Sequence, residues 1–114
     1  MDLIARNRLV GELIDLLAQG EYDALLLRAQ HSRLDAEKLA AAVEDYGRQI
    51  VPLPPNGFRL IDCVPVTGSE PARWSVVVPL FTSEEGRSDL TMELTMAQGE
   101  DGSYTAQIDN LHVL

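Results

Sequence analysis

A chain of 114 residues, 46% hydrophobic and 24% charged, has the size and make-up of one globular domain, which excludes a disordered tract, a collagen-like repeat or a disulfide scaffold. Its 18 acidic against 9 basic residues give a net charge of -9, a sign that repels phosphate backbones and argues against nucleic-acid binding. Cys63 has no second cysteine to pair with, no basic region and long apolar run open the chain, and no stretch approaches the roughly 18 apolar residues of a membrane span, so the expected setting is the cytoplasm.

Leu3, Val10, Leu13, Ile14 and Leu17 recur at helical spacing between a capping Asp2 and a closing Gly20, which predicts a helix over about residues 3 to 19. Tyr22, Leu25, Leu26 and Ala29 mark a short second helix over 21 to 30, with acids in its first turn and Arg28 near its end. Ser32 with Asp35 approximates a capping box, and opens a third helix whose stripe is Leu34, Ala36, Leu39, Ala40, Val43 and Tyr46 and whose stop is Gly47. The run Val51-Pro52-Leu53-Pro54-Pro55-Asn56-Gly57 is a connector, because its prolines fit neither a helix interior nor a central strand.

Four strands follow. Phe58 to Val66 is the first, Thr67 to Pro71 a turn, and Trp74 to Phe81 the second, bent or bulged at Pro79, which has no amide to donate. Leu90, Met92, Leu94 and Met96 alternate with polar residues and define the third. Asp101-Gly102 signals a hairpin into the fourth, where Tyr104, Ala106 and Ile108 fall out of phase with Leu111 and Val113, so a bulge is expected near Asp109-Asn110. The expected fold is α+β in one domain over 1–114: a helical half (1–47), a Pro-rich connector (48–57) and a sheet half (58–114), with about three N-terminal helices packed on one face of a curved antiparallel sheet of about four strands.

Enzymatic chemistry finds little support in the residue types. No serine sits in an elbow motif, His31 and His112 are the only imidazoles, and Cys63 lies in an apolar strand where a buried inert thiol is expected. One cysteine and two distant histidines give no metal-ligand spacing, and no glycine-rich phosphate loop occurs, so no metal and no cofactor are expected. Two places could still carry function. The Glu84-Glu85-Gly86-Arg87-Ser88-Asp89 run offers Glu84, Glu85, Arg87 and Asp89 at a hairpin tip, either for a partner or as an internally paired loop. Asp62 shares strand parity with Leu60, Val64 and Val66 and is a candidate carboxyl inside a pocket if that set faces the core, with Ile61 and Cys63 as the alternative inward set.

The Trp74 strand, the Glu84-Glu85-Gly86-Arg87-Ser88-Asp89-Leu90 loop and strand, continuing through Thr91, Glu93 and Leu94, and the terminal Asp109-Asn110-Leu111-His112-Val113-Leu114 resemble a small bacterial domain family of unknown function. Short acidic proteins of this kind also look like the immunity proteins of bacterial toxin systems, and that resemblance implies a non-enzymatic domain that binds a basic toxin or other protein through an acidic surface. The Gly20-Glu21-Tyr22-Asp23-Ala24-Leu25 segment between helices looks like the nuclear-transport-factor-2-like cone fold, which implies instead a small-molecule pocket or small active site between helices and sheet. A monomer or a homodimer fits either expectation.

Overall fold

Asp2 starts the fold by accepting the amides of Ile4 (3.0 Å) and Ala5 (3.2 Å), two of the donors that a helix start leaves unpaired. In the computed structural model, which describes all 114 residues, helix α1 (Leu3–Ala18) follows, and its stripe of Leu9, Val10, Leu13, Ile14 and Leu17 is buried while Leu3, in the first turn, stays exposed. Helix α2 (Tyr22–Ala29) buries Leu25 and Ala29. At Gln30 the backbone takes a φ of 78°, rarely adopted by L-residues, and turns straight from helix into strand.

That strand, β1 (Gln30–Ser32), is one the sequence did not announce, and it corrects the reading of Ser32. Ser32 is not the helix cap: its hydroxyl bonds to Leu34, and Asp35 alone caps α3 (Ala36–Tyr46) by accepting the Lys38 amide at 2.8 Å. Helix α3 stops at Gly47, whose φ of 74° suits a residue without a side chain and lets its amide reach Val43 O. The Pro-rich connector contains a second unannounced strand, β2 (Ile50–Val51), and a 3-10 helix (Pro55–Leu60). Pro55 in the first turn fixes φ near the helical value, and the Phe58 ring lies against Gly11 of α1. This converts the start of the predicted first strand into helix and leaves only β3 (Asp62–Pro65).

Strands β4 (Arg73–Thr82), β5 (Gly86–Gln98) and β6 (Tyr104–Val113) match the predicted strands and extend them. The sheet order is β1-β6-β5-β4-β2, with β3 also paired to β4. It therefore has six strands rather than four, covered by three α-helices and one 3-10 helix rather than three helices in all. It is also not wholly antiparallel, since β1 runs parallel to β6 with Gln30 opposite Ala106. A chain leaving α2 at that edge meets β6 from the same direction, because the intervening elements bring β6 back antiparallel to β5.

Both expected irregularities occur. The β4–β5 register shifts between Pro79 and Phe81. Across β5–β6, Glu93 faces Asn110 while Leu94 faces Ile108, so Asp109 is the extra residue. Its carboxylate is held by the Thr95 hydroxyl (2.6 Å) and the Gln107 amide (2.7 Å).

The helices lie over one face of the open, curled sheet. Val76 and Val78 of β4, Met92, Leu94 and Met96 of β5, and Ala106, Ile108 and Leu111 of β6 meet the helix stripes in a continuous cluster of 22 buried apolar residues. Each buried Val, Leu, Ile, Met or Phe among them contributes about 1.5–3 kcal/mol when removed from water, and this burial is the main force that joins the two layers. The opposite face carries Val77 and the row Ser75, Thr95 and Gln107, and the end of the 3-10 helix borders it at Arg59 and Leu60. No helix is long and apolar enough to cross a membrane.

Candidate functional site

The end of α3 and the β4–β5 turn meet at Tyr46. Its hydroxyl lies 2.9 Å from both carboxylate oxygens of Glu85, to which it donates, and accepts the Asp89 amide at 3.3 Å. Glu85 also accepts the Thr82 hydroxyl at 2.9 Å, and the Glu85 amide donates back to Thr82 Oγ1. Glu84 accepts the Gln49 amide at 3.0 Å and the Ser83 hydroxyl at 3.1 Å. The Gln49 amide, then the residue's own amide, then Ser83 and the Arg48 charge hold the Glu84 carboxyl below its ordinary pKa.

Glu44 and Asp45 in the last turn of α3 add two exposed carboxylates to this end, where Arg48 is a base near Glu84. Acids at a helix C-terminus face the negative end of the helix dipole, and no basic residue in the last turn offsets them. Beside them a shallow groove of about 310 Å³ is lined by Ala42, Asp45, Tyr46, Leu90, Leu111 and Val113 together with His112. The result is an apolar depression with Asp45 on its wall and Glu85 held beside it by Tyr46.

A second concavity, of about 720 Å³, opens on the face of the sheet that the helices leave bare. Val77, Pro79 and Thr91 form its floor, and Arg59, Asp62, Arg87 and Asp89 stand around it. Asp62 is thus exposed and pairs in register with Val77, and the inward residues beside it are Ile61 and Cys63. The parity that put Leu60, Val64 and Val66 in the core is corrected accordingly: they are 37%, 53% and 44% exposed, because β3 begins only after the 3-10 helix and presents its other side to the core.

The tertiary structure joins what the sequence kept apart. Arg87 and Asp89 lie in β5, not in a free loop, and line the same concavity as Asp62, while Glu84 and Glu85 point to the other side of the turn and fasten it to Gln49 and Tyr46. No ion pair joins Arg59 or Arg87 to Asp62 or Asp89; the ion pairs of the fold are Arg28–Glu12 and Arg33–Asp109, and His112 Nε2 is hydrogen-bonded to Glu93 at 2.8 Å. The sequence marked Tyr46 only as part of the third helix's apolar stripe, and it did not mark Glu44 or Asp45. The signal was there, since two acids immediately before a helix-ending Tyr-Gly oppose the usual charge preference.

The remaining candidates have structural surroundings. Cys63 is half-buried with its sulfur 3.5 Å from Met1 Sδ. Trp74 packs edge-on against Tyr104 with ring centroids 5.7 Å apart, and the Tyr104 hydroxyl accepts the Asp2 amide. His31 pairs with Gln107 and His112 with Thr91 in the sheet, and no group of three His, Cys, Asp or Glu side chains is arranged to hold a metal ion.

Residues 14–114 match a family model described as a domain of unknown function, DUF7668, and the chain belongs to that family. No curated protein and no solved structure matches it.

Proposed function

We propose that the chain is a non-enzymatic protein-binding domain that takes a basic partner protein at the acidic end around Tyr46, in the manner of an immunity or antitoxin protein. The observation that carries this reading is that Asp45 lines an apolar groove with Tyr46, Tyr46 holds Glu85 beside it, and Glu44 and Glu84 are their neighbours in the chain. Charge at the rim steers and selects a partner of opposite sign, and an apolar centre supplies the desolvated contact on which affinity depends. Pre-ordering helps as well: a turn already fastened by Tyr46 and Gln49 loses little freedom on binding. The space between helices and sheet supports this reading too, because a continuous apolar cluster fills it.

The test is capture from a lysate of the native cell at low salt and at about 1 M salt, where the screening length falls to about 3 Å. Glu44→Lys with Asp45→Lys is the informative variant, since neither side chain takes part in the bonds that hold the turn. Capture of one basic protein, lost in high salt and in the variant, is the expected result. Retention by the variant of everything the natural chain captures would refute the proposed face.

A second reading has one specific observation behind it. The concavity at Asp62, flanked by Arg59, Arg87 and Asp89, has the volume of a small-molecule site, although it lies on the bare face and not between helices and sheet as a cone-like pocket would. A small molecule that co-purifies with the chain, and is lost on Asp62→Asn, would favour it.

A further inference from the structure

Arg6 is 93% buried by its 7% exposure, yet no carboxylate lies within ion-pair distance of it. Its Nε–H and one Nη2–H donate to Asn7 Oδ1 at 3.0 and 2.8 Å, and Nη2 also donates to Phe58 O at 3.3 Å. These bonds tie α1 to the 3-10 helix, a structural role that a neutral donor would fill equally well. They leave the charge without a counter-charge and both Nη1 donors without a partner. A guanidinium removed from water strongly favours an anion nearby.

No fully buried side-chain nitrogen or oxygen in the fold lacks a hydrogen bond, so the unpartnered Nη1 is the part of Arg6 that solvent reaches. The cleft that Arg6 lines, of about 470 Å³, is bounded by Leu3, Asn7, Pro55, Phe58 and Ile61, and a second guanidinium, Arg59, lines it as well. Arg59 is exposed and forms no ion pair. Arg6 is fixed at the inner wall, Arg59 stands free at the rim, and no acidic residue lines the cleft, in a chain whose net charge is -9.

We propose that this cleft binds a small organic oxyanion, a carboxylate or a phosphate ester, with its charged group between Arg6 and Arg59 and its apolar part on Leu3, Pro55 and Phe58. Arginine presents paired donors that match both oxyanions, and Asn7 and Phe58 hold the Arg6 fork in place before the ligand arrives. This site is separate from the acidic end and stands independently of the function proposed there.

The test follows the Arg6 guanidinium Nε–H signal by ¹H–¹⁵N correlation while inorganic phosphate, and in a second arm benzoate, is added at constant ionic strength. Saturable movement of that signal is expected with at least one probe, weakened about tenfold by Arg59→Gln, as loss of one charge-assisted contact implies, and unchanged by Arg8→Gln, an exposed arginine outside the cleft. Tighter binding of benzoate than of phosphate would assign the apolar wall a part in selection, and the reverse would assign the site to phosphate. Absence of saturation with both probes up to about 50 mM, saturation untouched by Arg59→Gln, or equal weakening by Arg8→Gln would overturn the proposal. Because Arg59 is exposed, its variant keeps the test open even if Arg6→Gln does not fold.

Discussion

Replacing Tyr46 with phenylalanine removes one oxygen at the junction of α3 and the β4–β5 turn, and the structure sets the size of the effect. A phenol has one proton, so its two 2.9 Å approaches to Glu85 count as one charge-assisted bond; the Asp89 amide at 3.3 Å adds a weaker one. A bond to a charged group is worth about 1.5–3 kcal/mol when shielded, but Glu85 is exposed and water competes for it, which brings the expected loss to about 1 kcal/mol. Urea unfolding followed by the fluorescence of Trp74 is the assay, since Trp74 lies in β4 against Tyr104. With a slope of about 1.5 kcal/mol/M the midpoint should fall by about 0.7 M. Glu85→Gln should cost a similar amount, and the double variant less than the sum, with a coupling of about 0.5–1 kcal/mol. Strict additivity would refute the claim that Tyr46 fastens the turn through Glu85. A coupling above about 3 kcal/mol would refute the claim that solvent screens the contact.

Two further outcomes follow from local geometry. A methyl group on Gly57 would stand 3.0 Å from Phe81 Cε1 and 3.2 Å from Pro54 Cδ, inside the packed wall beneath the 3-10 helix, so Gly57→Ala should lower stability by about 1–3 kcal/mol in the same unfolding measurement. Stability should also decline in acid through Glu84: its folded-state pKa is lowered by the Gln49 amide, so its contribution is present above the ordinary value of 4.5 and is lost as pH falls through the lower folded value. Glu84→Gln should flatten the acid limb of a plot of unfolding midpoint against pH, and an unchanged limb would assign the acid sensitivity elsewhere.

Periodicity made the three α-helices and the long strands legible, because each buries a stripe whose spacing repeats locally: Leu13, Ile14 and Leu17 on α1, and Leu90, Met92, Leu94 and Met96 on β5. The Asp109 bulge was legible for the same reason, since one extra residue reverses the alternation after Ile108. Local pattern was silent where pairing comes from far along the chain. Gln30–Ser32 and Ile50–Val51 are too short to show a period, and they are strands only because β6 and β4 offer open edges to them. Asp62 could face either way until the 3-10 helix set where β3 begins.

The candidate sites divide along the same line. Composition by itself determined an acidic chain, patterning placed the three α-helices ahead of the long strands, and the sequence alone marked Glu84, Glu85, Arg87, Asp89 and Asp62. Tertiary structure alone decided which of these side chains bond inward at Tyr46 and Gln49 and which line the bare face of the sheet. It also decided that Arg6 is buried without a counter-charge, because the partners of a side chain are set by elements that meet in space, and α1 meets Phe58 across 52 residues of chain.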